Sequence, residues 1–485
     1  MLTETEIAIN KIAEAEERSI SQIIKDIIAE HEGDERWELM RQGFDYYHNE
    51  NLVLDEPRQY FDGEETSDED TFADNRVPHG WHKLLVDQKA GYIAGKPPVI
   101  EAEDEEFQED ISDLLGGDFD DKMPELVKSA SNKGRAWLHV YVDSEGDFRF
   151  MEVDPRQIVP IYDTDKQQEL MGVLRYYSVT YNGEKLTRVE WWDRERVRYF
   201  IKDSESGEYK PDTVIRDEED WDRPHFTKNG EDESWGRIPF IKFANNKEGY
   251  PDIKYYKEMI DLYDRLISAF GNELEDLQEV IYILENYGGE DLEEFQKMLR
   301  KFKAVKVDEN GGVDTLDIDI PTEAKKELLD RLEENILLFG QGVNPKTDRF
   351  GTSPSGVALQ FLFSQLDMKA DALIRKFKKG FRELAYFIAR YKELEDGADH
   401  DPSEVSATFN KSMIFNESEK IENVQNSLGV TSTKTALANH PYVDDVDKEM
   451  KRIEDEMDDV DDTPDLDDID LDDEGEEGEE EGEEE

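Results

Sequence analysis

The sequence predicts an α+β fold that is mainly α-helical, with β-hairpins in its N-terminal half and a small α/β module carried between two long helices. Three observations predict it. Apolar residues recur at steps of three and four over residues 253–284, 322–341 and 355–394, the period of a helix with one buried stripe. Trp137, His139 and Tyr141 alternate with period two, and Asn182-Gly183 separates two further alternating runs. Two short apolar runs, 304–307 and 313–320, flank the turn Asp308-Glu-Asn-Gly-Gly312 between the long helical segments.

Residues 3–50 read as two polar helices, with Trp37, Met40, Phe44 and Tyr47 on one face of the second. The Asp-, Glu-, Gly- and Ser-rich stretch 55–76 reads as an exposed loop. A helix over 80–93 ends at Gly95-Lys-Pro-Pro-Val, which starts an extended segment. From Gly134 the hairpins follow: one turns at Ser144-Glu-Gly-Asp147, a second joins 176–180 to 186–192, and another strand lies at 197–201. Residues 203–236 read as polar and irregular. The next helix starts near Pro251 and carries its stripe from Ile253 to Leu284, about 50 Å if unbroken, with Gly271 as a point of bending. A helix at 291–302 and the two short strands form the inserted module, which Pro321 closes. Leu328, Leu332, Ile336 and Phe339 mark the next helix. After the loop Gln341-Gly-Val-Asn-Pro-Lys-Thr-Asp-Arg-Phe-Gly-Thr-Ser-Pro-Ser355, Ser353 suits an N-cap and Pro354 the first helical position. The helix that follows runs roughly 37 residues, about 55 Å, without a proline. Beyond it come a helical pattern at 417–428, a short helix capped by Thr431 or Ser432, and a last helix at 446–457.

The charge is extreme: 122 acids against 58 bases among 485 residues, a net −64. Residues 458–485 hold 19 acids and no base, and cannot form a core. Such acidity argues against wrapping nucleic acid by phosphate neutralisation. It is compatible with a tunnel wall that repels phosphates, and also with solubility in a saline cytoplasm. There are no cysteines, which excludes disulfides and thiolate metal sites. No apolar run approaches the length of a membrane span, and the N-terminus lacks a signal-peptide pattern, so a cytosolic, unanchored protein is expected.

Several stretches in this order resemble the portal proteins of tailed bacteriophages, specifically the siphophage-type family of Gram-positive hosts. They are Val86-Asp-Gln-Lys-Ala-Gly-Tyr-Ile-Ala-Gly-Lys-Pro-Pro98, Gly236-Arg-Ile-Pro-Phe240 with Asn245-Asn246, Ser353-Pro-Ser-Gly-Val-Ala-Leu359, Val430-Thr-Ser-Thr-Lys-Thr-Ala-Leu437 and His440-Pro-Tyr-Val-Asp-Asp445. The resemblance covers roughly residues 30–457. It implies a portal-like fold: a wing (1–250), paired stem helices (251–285 and 322–341), a clip (286–321), a tunnel loop (342–354), a long spine helix (355–399) and a crown (400–457); beyond it, composition alone marks 458–485 as a disordered acidic tail. It also implies a ring, usually of twelve subunits, at one vertex of the viral capsid. Double-stranded DNA is packaged through the ring by a separate terminase and later released. Capsid and scaffold proteins and a head-completion or adaptor protein are the other implied partners. The implied location is the virion, after assembly in the host cytoplasm.

Within that frame, Asn344, Lys346 and Arg349 are the candidate DNA contacts of the loop, a sparse, sequence-blind set of donors. The same loop nearly spells a phosphate-binding motif at Gly340 and Pro345-Lys346-Thr347. Pro345 has no N–H to offer and a helix is expected before it, so no ATPase site and no enzyme activity are expected. The long helix carries eight bases between Leu366 and Lys392, against Asp367, Asp371 and Glu383. Of these, Arg375, Lys376, Lys378, Lys379 and Arg382 are candidates for a subunit interface or a DNA-facing surface, with neutralisation of acidic helices in neighbouring subunits the favoured role. The His79–His82 pair lacks a third metal ligand, and Asp470, Asp472, Glu474, Gly475 and Glu481 only echo a calcium loop. No cofactor is expected beyond diffuse divalent cations. A reading from a different class is an acidic DNA-mimic decoy or chaperone for basic proteins, which explains the charge but not the long helices.

Overall fold

The computed structural model describes residues 19–453 apart from 57–72, 164–168, 218–219, 229, 277–280, 286–311, 317–320, 345–355, 412–416 and scattered positions between 439 and 448. The first part of the N-terminal helix, most of the 55–76 loop, the 291–302 helix, the 304–307 strand, Lys346, Arg349 and the acidic segment 458–485 lie outside the described residues. The chain divides into two units, one of residues 1–349 with 362–413 and one of 350–361 with 414–485.

In the first unit, Ser19 caps α1 (Ile20–Glu32) by accepting from the Gln22 N–H, and Asp34 caps α2 (Glu35–Tyr47) through the Arg36 N–H. Next come α3 (Trp81–Ala94), ending one residue past the expected point, and β1 (Val99–Glu101). The sequence reading contains no counterpart of α4 (Glu105–Lys133). Asp104 caps it, and Phe107, Ile111, Leu115, Phe119, Met123 and Leu126 form its buried stripe. The helix survives Pro124 and a break at Gly116, where φ is +52°. It stops at Gly134 (φ +76°), where a Cβ would stand 2.2 Å from the Gly249 carbonyl oxygen, so both backbone angle and space demand glycine.

Two sheets follow. β2 (Arg135–Val142) and β3 (Phe148–Val153) form the first hairpin. β4 (Ile158–Tyr162), β5 (Leu170–Tyr181), β6 (Glu184–Trp192) and β7 (Arg196–Lys202) form a meander. Asn182 and Gly183, at φ +50° and +83°, make the two-residue turn that joins β5 to β6 with Tyr181 opposite Glu184, as expected from the sequence. Residues 203–236 are not irregular throughout. They supply β8 (Tyr209–Pro211), β9 (Asp222–Pro224), β10 (Phe226–Lys228) and β11 (Glu231–Glu233), short strands whose three residues are too few to show a period. β8 and β9 both pair with β7, and β10 pairs with β11. β12 (Phe240–Ala244) joins the first hairpin in the order β12-β2-β3.

The apolar stripe from Ile253 to Leu284 is not one helix. After a 3₁₀ turn over 252–255, α5 (Lys257–Asp276) ends, and β13 (Ile281–Glu285) pairs antiparallel with β14 (Gly312–Leu316), Ile281 opposite Leu316. Ile-Tyr-Ile-Leu is β-branched and aromatic, and it found a strand partner that helical spacing cannot reveal. α6 (Thr322–Phe339) packs alongside α5. The longest element, α7 (Gly356–Glu395), has 40 residues, about 60 Å of helix. β15 (Ser406–Thr408) returns to pair with β1, Val99 opposite Thr408.

The main core lies where α4 and α7 cover the β12-β2-β3 sheet. Phe107, Met123, Leu138, Phe243, Phe377 and Phe387 are all buried there. Gly380 lets α7 press onto β12: a Cβ at this position would lie 2.5 Å from the Phe243 ring. Phe107 also stacks on His400, 4.5 Å between ring centres, and His400 bridges Asp104 (3.2 Å) and Asp110 (2.9 Å). α1 packs Ile23, Ile24 and Ile28 on the other sheet, and Tyr46, Leu85, Tyr256, Ile260 and Ile336 form a further cluster among α2, α3, α5 and α6.

In the second unit, α8 (Glu417–Ser427) precedes α9 (Thr433–Ala438). Ser432 is the cap, its hydroxyl accepting from the Thr435 N–H at 3.2 Å. Helical residues at 446 and 449–453 match the start of the last expected helix.

Candidate functional site

The loop after α6 begins with a tight exit. The Gln341 N–H donates to Leu338 O at 3.1 Å and the Gly342 N–H to Leu337 O at 2.9 Å, the paired bonds of a Schellman helix end. Gln341 takes the left-handed conformation (φ +55°) that glycine usually supplies there. The glycines stand on either side of it for a packing reason. A Cβ at Gly340 or Gly342 would come within 2.5 or 2.3 Å of the Leu85 methyls. The chain thus leaves α6 flat against α3.

Two polar side chains fasten this exit, and a third braces the carboxylate that one of them holds. Gln88 clasps Val343, donating from Nε2 to its carbonyl (2.8 Å) and accepting its N–H at Oε1 (3.0 Å). Lys369 reaches from α7 to the Gly340 carbonyl (2.8 Å) and to Asp252 Oδ2 (3.0 Å). Lys89, 1% exposed, donates to Asp252 at 3.0 Å and to Asn245 Oδ1 at 2.5 Å, and Asn245 Nδ2 returns a bond to Asp252 Oδ1 at 2.8 Å. Burial opposes the charge on Asp252, but Lys369 and Lys89 outweigh it and hold the carboxyl well below its ordinary range. Burial pushes Lys89 down to about 8. Removing one member of such a group leaves a buried charge without its counter-charge, a loss of about 3–5 kcal/mol. The arrangement can hold the start of the loop rigidly against three elements that lie far apart in sequence.

Sequence reasoning named Asn344, Lys346 and Arg349 for this loop. Asn344 is half-buried, next to the clasped Val343, while Lys346 and Arg349 lie outside the described residues. A helix precedes Gly340, so the near-match to a phosphate-binding motif lacks the strand it needs. Gln88, Lys89, Asn245 and Asp252 were not singled out individually, while Lys369 was one of the eight bases noted on the long helix. For the others the signal was that Gln88 and Lys89 lie inside the 86–98 stretch and that Asn245 starts Asn245-Asn246.

The basic stretch of α7 divides by helical phase. Arg375, Lys378 and Arg382 share one exposed face. Lys376 and Lys379 share another with Glu383 and line a cleft of about 840 Å³ against β12. Three of the remaining bases are satisfied within the chain. Lys369 pairs with Asp252, Arg390 with Glu233 (3.8 Å) and Glu393 (2.8 Å), and Lys392 with Asp110 (2.9 Å) and Glu395 (3.2 Å). His79 and His82 do not converge: His79 contacts Asp264 at 2.8 Å and buried His82 contacts the Tyr256 hydroxyl at 2.7 Å. Among the described residues there is no metal-like cluster and no helix long and apolar enough to cross a membrane.

The sequence matches the family described as phage portal protein, SPP1 Gp6-like, over residues 25–463. The portal protein of Bacillus phage SPP1 is 35% identical over 458 residues, covering 93% of this chain and 89% of that protein. The portal protein of Clostridium phage phiCD119 is 33% identical over 433 residues, covering 84% of this chain and 90% of that one. Among solved structures, a chain of the neck of a native GTA particle computed with C12 symmetry is 10% identical, with a TM-score of 0.41 over 74% of this chain and 89% of that chain. The matched span holds the fastened loop exit, the buried lysine network and the long helices together, and on it the chain belongs to the SPP1 Gp6-like family of phage portal proteins.

Proposed function

We propose that this protein assembles into a ring of twelve at one capsid vertex, and that double-stranded DNA is packaged and later released through its axial tunnel. The ring docks a terminase during packaging and head-completion and tail proteins afterwards, with capsid and scaffold proteins around it. On this reading the role is structural rather than enzymatic, only diffuse divalent cations accompany the acidic surface, and the protein passes from the host cytoplasm into the virion.

Beyond family membership, the observation that carries the reading is apolar surface left bare on the paired helices. Leu262 and Leu274 of α5 and Leu328, Leu338 and Phe339 of α6 are 40% to 56% exposed in the single chain. Leu328 and Phe339 belong to the stripe that the sequence marks as a buried edge. Side chains of this kind on a soluble subunit are what neighbouring copies cover. The clasped loop exit fits the same reading, because a loop that meets moving DNA needs a fixed base.

Light scattering with imaging tests the assembly. A particle near twelve times the 56.4 kDa subunit, with a central hole, supports it. A monomer or dimer at every salt concentration would move the acidic decoy forward, and that decoy would lose most affinity for basic proteins on deletion of residues 458–485. The loop is tested by Lys346→Glu with Arg349→Glu, which should impair DNA packaging and leave ring formation intact. Normal packaging by the double variant would remove the loop from the mechanism.

A further inference from the structure

The cleft between α7 and β12 reverses the charge balance of the whole chain. Acids outnumber bases two to one overall, yet among the described residues Arg194, Arg237, Lys242, Lys247, Lys376 and Lys379 line this cleft against only Glu169 and Glu383. The two acids are already engaged, Glu169 by Arg194 and Glu383 by Arg237 at 3.6 Å. Among the described residues, the four lysines have no carboxylate within 4 Å; Lys242 only donates to the Tyr162 hydroxyl at 3.1 Å. Desolvation by the cleft walls, with Arg135 and Lys379 close by, holds Lys242 at about 8. Trp137, another lining residue and 1% exposed, has an indole N–H that meets no acceptor, and the Arg135 Nε behind it is also buried without one. A concentration of unsatisfied donors and unpaired ammonium groups in a concave site is a binding site for anions.

We propose that this cleft binds an extended carboxylate-rich segment, and that its occupant is the acidic stretch 458–485 of a neighbouring subunit. The volume admits a few side chains of an extended peptide and is too small for a duplex. Residues 458–485 offer 19 carboxylates without a competing base, and a closed ring would present one such segment per cleft at high effective concentration. Docking would neutralise the four lysines and tie adjacent subunits together. The proposal rests on the ring reading above.

The test uses the full chain. Subunits of natural and heavy-isotope composition are mixed before assembly and treated with a carbodiimide. The reagent activates a carboxylate and leaves as its urea when a lysine amine displaces it, so an amide forms only between groups in direct contact. Mass spectrometry should find Lys242, Lys247, Lys376 or Lys379 joined to acids of 458–485 in light–heavy pairs. Lys376→Glu with Lys379→Glu, both on the helix surface, should reduce these products by about tenfold or more, since like charges would then face each other across the cleft. Unchanged circular dichroism would show that the fold is retained. Intact rings without such cross-links, or with same-isotope pairs alone, would overturn the cleft assignment by itself. So would protection of the four lysines from acetylation by a short duplex oligonucleotide in rings that lack the tail cross-links, because the anion would then be phosphate. Failure to form rings would instead sink the assembly reading.

Discussion

Gln88→Ala would remove both hydrogen bonds that clasp Val343, at 2.8 and 3.0 Å, without touching the Schellman bonds one residue earlier. Each such bond contributes about 0.5–1.5 kcal/mol net, so the local cost is roughly 1–3 kcal/mol. Val343 is only half-buried, and water can replace part of what is lost, which favours the lower half of that range. At about 1.4 kcal/mol per factor of ten, a cost of about 1–2 kcal/mol should make opening at the loop exit about five- to thirtyfold more frequent. Hydrogen exchange on the full-length protein, followed in a peptide spanning 337–344, reads this directly as faster exchange at Val343. Gln88→Glu still accepts from the Val343 N–H but no longer donates to its carbonyl, and should fall between the two. Exchange at Val343 within about twofold of wild type would refute the claim that Gln88 fixes the loop, and would leave Lys369 as the fastening group.

Three further outcomes follow from the packing and the charges. Gly380→Ala brings a Cβ to 2.5 Å from the buried Phe243 ring, so an overpacking cost of about 1–3 kcal/mol should outweigh the gain of about 1 kcal/mol in helix propensity. A raised melting temperature would show that Phe243 can move aside. Burial depresses His82 and His139 to about 4 and His225 to about 3, below the 6.5 of an unfolded chain. Protons therefore favour the unfolded state: stability is complete above pH 6.5 and should decline as pH falls towards 4, by up to a few kcal/mol per histidine. Asp252 stays ionised throughout that window, and a melting temperature that is flat from pH 6.5 to 4.5 would contradict the burial of these rings. Finally, each subunit carries a net −64, so rings should become more stable with added salt, measured as the assembled fraction by light scattering. A fall with salt would show that ion pairs between subunits dominate.

What could be read from sequence was what local pattern controls. The α7 stripe, the turn at Asn182-Gly183 and the Ser432 cap are decided within a few residues, and the structure has each of them. The α4 helix was hidden because Gly116, Gly117 and Pro124 look like breakers, although a buried stripe at steps of three and four runs through them. Leu284 continued the spacing of α5, and only its strand partner near residue 313 decides otherwise. The loop clasp was illegible for the same reason. Gln88 and Val343 are 255 positions apart, and nothing near either one announces the other. The cleft was half legible: the bases of α7 stood out, but their division into a cleft-lining pair and an exposed face depends on β12 lying beside them.

The pairing of β1 with β15 fixes when this protein can finish folding. Residues 99–101 have no strand partner until 406–408 have been made, and the core beneath α4 lacks α7 until residue 395. At about 5–20 residues per second, the delay is roughly 15–60 seconds of synthesis. Within that time, between the synthesis of Phe243 and that of α7, the sheet face holding Phe243 lacks the helix that covers it. A product cut short before residue 406 leaves β1 without its partner strand.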